Sequence, residues 1–154
     1  MIRPAVDPTI GSIEPGATVL VDANVLMDIF TEDPTWFAWS AAALTAAGDR
    51  TVLVLNQIVY AELSVSFPTV EAVDAALPVD RYRRESLPWD AGFLADKAYR
   101  AYRHRGGPRR SPLPDFYIGA HAAVRGYTLL TRDAARYRTY FPRLRLITPD
   151  GERA

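Results

Sequence analysis

The chain has 154 residues, 18 of them basic and 18 acidic, so its formal net charge is zero; 49% is hydrophobic and 11% aromatic. That length suits one domain with a core of its own, and that composition excludes a disordered or fibrous protein. No apolar run approaches the roughly 20 residues that cross a bilayer, no basic stretch leads into an apolar segment at the start, and the lack of cysteine excludes a disulfide scaffold, thiolate zinc and a cysteine nucleophile; the expectation is a soluble, cytoplasmic protein with no membrane partner.

Residues 1–17, with Pro4, Pro8, Gly11, Pro15 and Gly16, read as an irregular lead-in. Thr18-Val19-Leu20-Val21 is a short β-branched run, a buried strand that ends at Asp22, and residues 23–30 read as a helix. Asp33-Pro34 restarts the chain as N-cap and first helical residue of a helix carrying Trp36, Phe37 and Trp39, which stops near Gly48. A second buried strand spans 51–55, and Asn56 caps a helix through Glu62 to about Phe67. Pro68-Thr69 opens another short helix, and residues 81–87 supply an edge strand. From Asp90, Ala91, Leu94, Ala95, Ala98 and Ala101 recur at helical spacing until Gly106-Gly107. A loop over 108–112 leads to a helix from Pro114 to Gly126, a third apolar strand over 127–131, a short helix opened by Asp133, a last strand over 144–147 and a polar tail, 149–154. Strands alternating with helices predict a parallel sheet covered on both faces, with right-handed crossovers and its ligand site beyond the carboxyl ends of the strands.

The zero net charge hides an asymmetry. Residues 1–96 hold 14 acids against five arginines, while residues 97–154 hold 13 bases against four acids. Such a split suggests a polyanionic or charged-protein partner. Arg103, Arg105, Arg109 and Arg110 flank the glycine-containing loop before Asp115; they can track a polyanionic backbone, or be solvated helix-end residues.

Four acids fall at one edge of the expected sheet: Asp22 after the first strand, Glu62 on the helix leaving the second, Asp115 in the first turn of the helix leading to the third, and Asp133 just past it. Taken singly, Asp22, Asp115 and Asp133 suit helix starts and Glu62 a solvated helix face. Together they form a set of hard oxygen donors of the kind that holds Mg²⁺ or Mn²⁺ for phosphoryl chemistry. Asn24 and Thr131 add polar side chains at the same strand ends, where ordinary turn hydrogen bonding is the alternative.

Val-Asp22-Ala-Asn24-Val-Leu, Glu62, Asp115-Phe-Tyr-Ile-Gly-Ala-His-Ala and Leu-Leu-Thr131-Arg-Asp133 together resemble the PIN domain, and more closely the VapC-type toxins of bacterial toxin–antitoxin pairs, over roughly residues 18–148. The resemblance implies a three-layer α/β/α sandwich around a mainly parallel sheet and a Mg²⁺- or Mn²⁺-dependent endoribonuclease. Asp22, Glu62, Asp115 and Asp133 match the family's catalytic, metal-binding acids, and Asn24 and Thr131 its accessory polar positions. The lead-in departs from the family pattern, which begins almost at the first strand. The resemblance further implies an antitoxin partner and a homodimer. Trp36, Phe37, Trp39 and Phe67 are expected mostly in the core, some of them lining a groove for the antitoxin segment. His121, two turns beyond Asp115, is expected to pack or bond locally. Two alternatives stand beside the nuclease: a non-catalytic PIN-like module that binds RNA or protein, and a phosphohydrolase that forms an aspartyl-phosphate on Asp22. The second usually wants another Asp where this chain has Asn24.

Overall fold

The structure, a computed structural model, describes residues 16–107 and 113–149. Most of the lead-in, Arg109 and Arg110 of the loop, and all of the polar tail but Pro149 lie outside the described residues. Five strands, β1 (Thr18–Val21), β2 (Val52–Leu55), β3 (Tyr82–Arg84), β4 (Thr128–Leu130) and β5 (Leu146–Ile147), form one all-parallel sheet in the order β3-β2-β1-β4-β5. Seven helices among the described residues connect them: α1 (Ala23–Phe30), α2 (Phe37–Arg50), α3 (Gln57–Ser64), α4 (Val70–Ala76), α5 (Trp89–His104), α6 (Leu113–Arg125) and α7 (Ala134–Tyr140). The result is the three-layer α/β/α sandwich. None of these helices is long and apolar enough to cross a membrane.

The strand sequences explain the layering. Val19, Leu20 and Val21 of β1 and Leu129 and Leu130 of β4 are wholly buried, as continuous apolar runs must be when helices cover both faces of a sheet. The edge strands are short; on β3 only Tyr82 is buried while Arg83 and Arg84 face water. From β1 the chain steps outward through β2 to β3, then returns across β1 to add β4 on its far side. With right-handed crossovers that reversal sends the later helices to the opposite face and opens a crevice between the carboxyl ends of β1 and β4. Asp22 and Thr131 stand at that point, and the Asp22 backbone N–H donates to the Leu130 carbonyl at 2.9 Å.

Local signals set most boundaries. Asn56 Oδ1 accepts from the Val59 N–H at 3.0 Å and Thr69 Oγ1 from the Ala72 N–H at 3.1 Å, side-chain caps that start α3 and α4. Asp33 Oδ1 accepts from the N–H groups of Thr35 and Trp36 at 2.9 and 2.8 Å, but these bonds hold a turn, and regular helix begins three residues later than expected, at Phe37. Gly106 (φ 86°) and Gly126 (φ 69°) follow α5 and α6 in the left-handed conformation that ends helices and that glycine alone adopts freely. α3 stops at Ser64, short of the expected Phe67.

α5 lays its buried Ala91, Ala95 and Ala98 toward the interior and packs most extensively on α6. Phe116 of α6 is edge-on or tilted to Tyr99, Tyr102, Tyr140 and Phe141. Gly119 of α6 has no room for a side chain: an added Cβ would lie 2.6 Å from Phe141 Cε2 and 2.8 Å from Cδ2. Overpacking of this kind costs about 1–3 kcal/mol, against a gain of about 1 kcal/mol in helix propensity. Gly119→Ala is therefore expected to lower stability by about 1 kcal/mol, read as an earlier urea midpoint at unchanged slope; a later midpoint would show that Phe141 yields freely.

Candidate metal centre

Three of the four acids meet. One carboxylate oxygen from each of Asp22, Glu62 and Asp115 lies within 4.8 Å of the other two. Asp22 leaves the end of β1, Glu62 projects from the second turn of α3, and Asp115 from the first turn of α6, so the cluster spans the crevice where the strand order reverses. Asp22 occupies the N-cap position of α1, yet its carboxylate caps no helix. The same is true of Asp133 at the start of α7. The capping role open to both from sequence is not the one they play.

Asp22 is 2% exposed, and three donors converge on its Oδ2: Thr131 Oγ1 at 2.9 Å, the Tyr137 hydroxyl at 2.9 Å and Asn24 Nδ2 at 3.4 Å. Thr131 Oγ1 itself accepts from Asn24 Nδ2 at 3.2 Å and from the Asp133 N–H at 3.1 Å, which uses its full capacity of one donor and two lone pairs. Asn24 and Thr131 thus do more than shape turns: they fix the direction of the Asp22 carboxylate.

Tyr137 was not evident from the sequence. It lies on α7, wholly buried, and burial together with the neighbouring acids pushes its phenol well above the usual range, so it remains a donor. Arg136, its neighbour, donates to Asp115 Oδ2 and lies 3.7 Å from Asp133 Oδ2. Asp133, its side chain 42% exposed, stands outside the cluster. The signal for both was helical periodicity: a short helix that begins at the sheet edge returns one face to the strand ends at every turn.

The electrostatics are those of acids crowded away from water. Burial first, then the charge of Asp115, raises Asp22 to about 6, against the lowering effect of its hydrogen bonds. Glu62 is pushed up to about 7 by burial and by the two aspartates. Asp115 is raised by burial, with Arg136 opposing and Asp133 adding to the rise. A divalent cation removes this repulsion, and the donors are all hard oxygens, which suit Mg²⁺ or Mn²⁺. The residues present fit such an ion.

The remaining residues singled out from sequence fall elsewhere. His121 is wholly buried, with Nδ1 3.0 Å from Asn56 Nδ2 and Nε2 2.7 Å from Glu85 Oε2. Since the Asn56 carbonyl oxygen already accepts the Val59 N–H, its amide donates to Nδ1, and Nε2–H donates to Glu85. His121 packs and bonds as expected, to Asn56 and Glu85. Arg103 and Arg105 close α5, and the Arg105 guanidinium lies over the Tyr140 ring at 5.6 Å. Among the four aromatics expected mostly in the core, none is fully buried: Phe37 is 40% exposed and Trp36, Trp39 and Phe67 are half-buried. α2 buries Ser40, Ala43, Leu44 and Ala47, and Trp39 and Phe67 pack against the core with part of their surface exposed.

The sequence profile of the PIN domain matches residues 19–142. No curated protein matches the chain. Among solved structures, the chain is similar to VapBC2 from Rickettsia felis bound to a DNA fragment from their promoter, at 17% identity and a TM-score of 0.66, covering 86% of this chain and 99% of that one. It is similar to VapBC-1 from nontypeable Haemophilus influenzae at 17% identity and a TM-score of 0.64, covering 85% and 97%. A toxin–antitoxin complex from Klebsiella pneumoniae gives 19% identity and a TM-score of 0.63, again covering 85% and 97%. At such identities the likeness is one of fold.

Proposed function

Because the chain belongs to the PIN domain family, we propose that it is a Mg²⁺- or Mn²⁺-dependent endoribonuclease and the toxin of a toxin–antitoxin pair. The observation that carries this reading is the convergence of Asp22, Glu62 and Asp115 at the point where the strand order reverses. These three would hold the ion, which supplies charge neutralisation at the scissile phosphate and an activated water. Thr131, Tyr137 and Asn24 keep Asp22 in one orientation. Arg136 steadies Asp115 and brings a positive charge to an otherwise acidic site. Asp133, outside the three-acid cluster, acts in this reading as a positioning residue, through its pairing with Arg136, its charge near Asp115 and its backbone bond to Thr131. Arg103 and Arg105 belong to the proposed RNA footprint, together with Arg109 and Arg110 of the adjoining loop.

The similar VapBC structures support an antitoxin partner, and the half-exposed Trp36, Phe37, Trp39 and Phe67 suit a groove for an amphipathic segment of it. A homodimer, the assembly the family resemblance implies, would cover Trp89 and Phe93 of α5, which are 97% and 70% exposed. A protein acting on cellular RNA would work in the cytoplasm. The phosphohydrolase reading loses ground, since Asn24 stands where a second acid is wanted.

The test is cleavage of structured and single-stranded RNAs with Mg²⁺, Mn²⁺ or chelator, comparing the wild type with Asp115→Asn. Metal-dependent cleavage that is lost in the variant is expected. RNA binding in chelator, with no cleavage under any metal, would overturn the nuclease in favour of the non-catalytic module.

A further inference from the structure

A cavity of about 240 Å³ opens between the carboxyl ends of β2 and β3, lined by Asn56, Gln57, Tyr60, Arg84, Glu85 and Ser86. The sheet register sets it beside the acidic cluster. Leu20 pairs with Val54 and Leu55 with Arg84, so Asp22, Asn56 and Glu85 stand side by side just past the strand ends. At about 4.8 Å per strand, Glu85 is roughly 10 Å from Asp22, within reach of a nucleotide neighbouring one cut at the cluster.

The walls have the character of a base-binding slot. The Arg84 guanidinium lies over the Tyr60 ring at 5.1 Å, and Asp74 holds both, accepting from Arg84 Nη2 at 2.7 Å and from the Tyr60 hydroxyl at 3.2 Å. This gives the cavity a braced, planar side of the type on which unpaired bases stack. Each oxygen of Glu85 takes one internal hydrogen bond, Oε2 from His121 at 2.7 Å and Oε1 from Tyr127 at 2.8 Å; Arg83 Nη2 faces Oε1 at 3.8 Å, beyond hydrogen-bond distance, which leaves a lone pair on each oxygen for a ligand. Gln57 Oε1 accepts the Leu87 N–H at 2.9 Å, so its amide group remains a donor.

Size and charge narrow the ligand. The volume lies below the roughly 300–1,000 Å³ of sites for drug-sized molecules and suits one planar base. Arg84 is neutralised by Asp74, and Arg83 stands 3.8 Å from Glu85 Oε1, so neither arginine offers an uncompensated positive charge to a phosphate. Of the four RNA bases, guanine alone offers two adjacent donors, N1–H and the N2 amino group, that match a carboxylate with a free lone pair on each oxygen.

Building on the endoribonuclease reading, we propose that this cavity is a guanine subsite that reads a base beside the scissile bond. The test needs neither metal nor cleavage: titration of the whole chain in chelator with GMP, AMP, CMP and UMP, followed by NMR. GMP is expected to bind at least about tenfold more tightly than the others, with shifts at Tyr60 and Ser86. Tyr60→Leu removes the stacking plane without touching the His121 network and is expected to weaken GMP about tenfold. Glu85→Gln is expected to erase the preference for guanine, with a thermal melt run beside it because Glu85 also holds the buried His121. Equal binding of the four nucleotides, no binding, or GMP affinity unmoved by Tyr60→Leu would overturn the subsite. If the protein cuts no RNA yet selects GMP, the nuclease fails and the subsite stands; if it cuts RNA yet ignores GMP, the reverse holds.

Discussion

Asp22→Asn is expected to lower metal-dependent RNA cleavage by about a thousandfold or more, since loss of one ligand charge removes several kcal/mol of transition-state stabilisation, and at the same time to make the metal-free protein more stable. The second half follows from linkage. The carboxyl group of Asp22 titrates near 3.8 in an unfolded chain and at about 6 in the fold. A raised folded value means that the native state holds the proton more tightly. The contribution is fully present below pH 3.8 and is lost as pH rises through about 6. At neutral pH the ionised group therefore opposes folding by about 3 kcal/mol, at 1.36 kcal/mol per pKa unit. Glu62, raised to about 7, acts in the same direction. Asparagine keeps the shape and an oxygen for Thr131, Tyr137 and Asn24 but carries no charge. In chelator at pH 7 it is expected to raise the thermal midpoint by roughly 6–12 °C, a gain that shrinks toward pH 4. A variant that loses activity and also melts earlier at pH 7 would contradict this account of the site.

What was legible in the sequence and what was not divides along sequence separation. The apolar runs of β1, β2 and β4, the caps at Asn56 and Thr69 and the glycines ending α5 and α6 are decided within a few residues, and they appear in the fold nearly where expected. The placement of Asp22, Glu62 and Asp115 at one sheet edge followed from the order of elements. The bonds that give those acids their roles did not. Thr131 and Tyr137 reach Asp22 across 109 and 115 residues, and Arg136 reaches Asp115 across 21. Whether an aspartate at a helix start caps that helix or faces a distant side chain is undecided by local chemistry, because the same backbone position serves both. The aromatics at the start of α2 divide for a related reason: Trp39 packs against the core while Phe37 is 40% exposed, and hydrophobicity alone does not tell the two apart.

Asp28 illustrates the same limit and carries the largest stability effect expected of a single substitution. It lies on the buried face of α1, 2% exposed, where a hydrophobic residue would be ordinary. Its Oδ2 accepts from Ser40 Oγ of α2 at 2.7 Å and from Arg132 Nε at 2.8 Å, and the Arg132 guanidinium lies over the Trp36 ring at 5.5 Å. One carboxylate thus ties α1, α2 and the segment between Thr131 and Asp133. Asp28→Ala would strand the wholly buried Ser40 hydroxyl and leave Arg132, 32% exposed, without its counterion. Removing one partner of a buried pair costs about 3–5 kcal/mol, and the partial exposure of Arg132 places this case near 3 kcal/mol. The thermal midpoint is expected to fall by roughly 6–12 °C. Asp28→Leu combined with Arg132→Met removes both charges and fills the space, so it is expected to recover the ion-pair part of that loss, while the Ser40 hydroxyl still lacks its acceptor. The double variant also separates stability from catalysis: the Arg132 N–H, which donates to Asn24 Oδ1 at 3.4 Å, is retained, and with it the support of Asp22. Cleavage by the double variant should accordingly stay within about tenfold of wild type. A loss as large as that of Asp22→Asn would show that Arg132 itself meets the substrate.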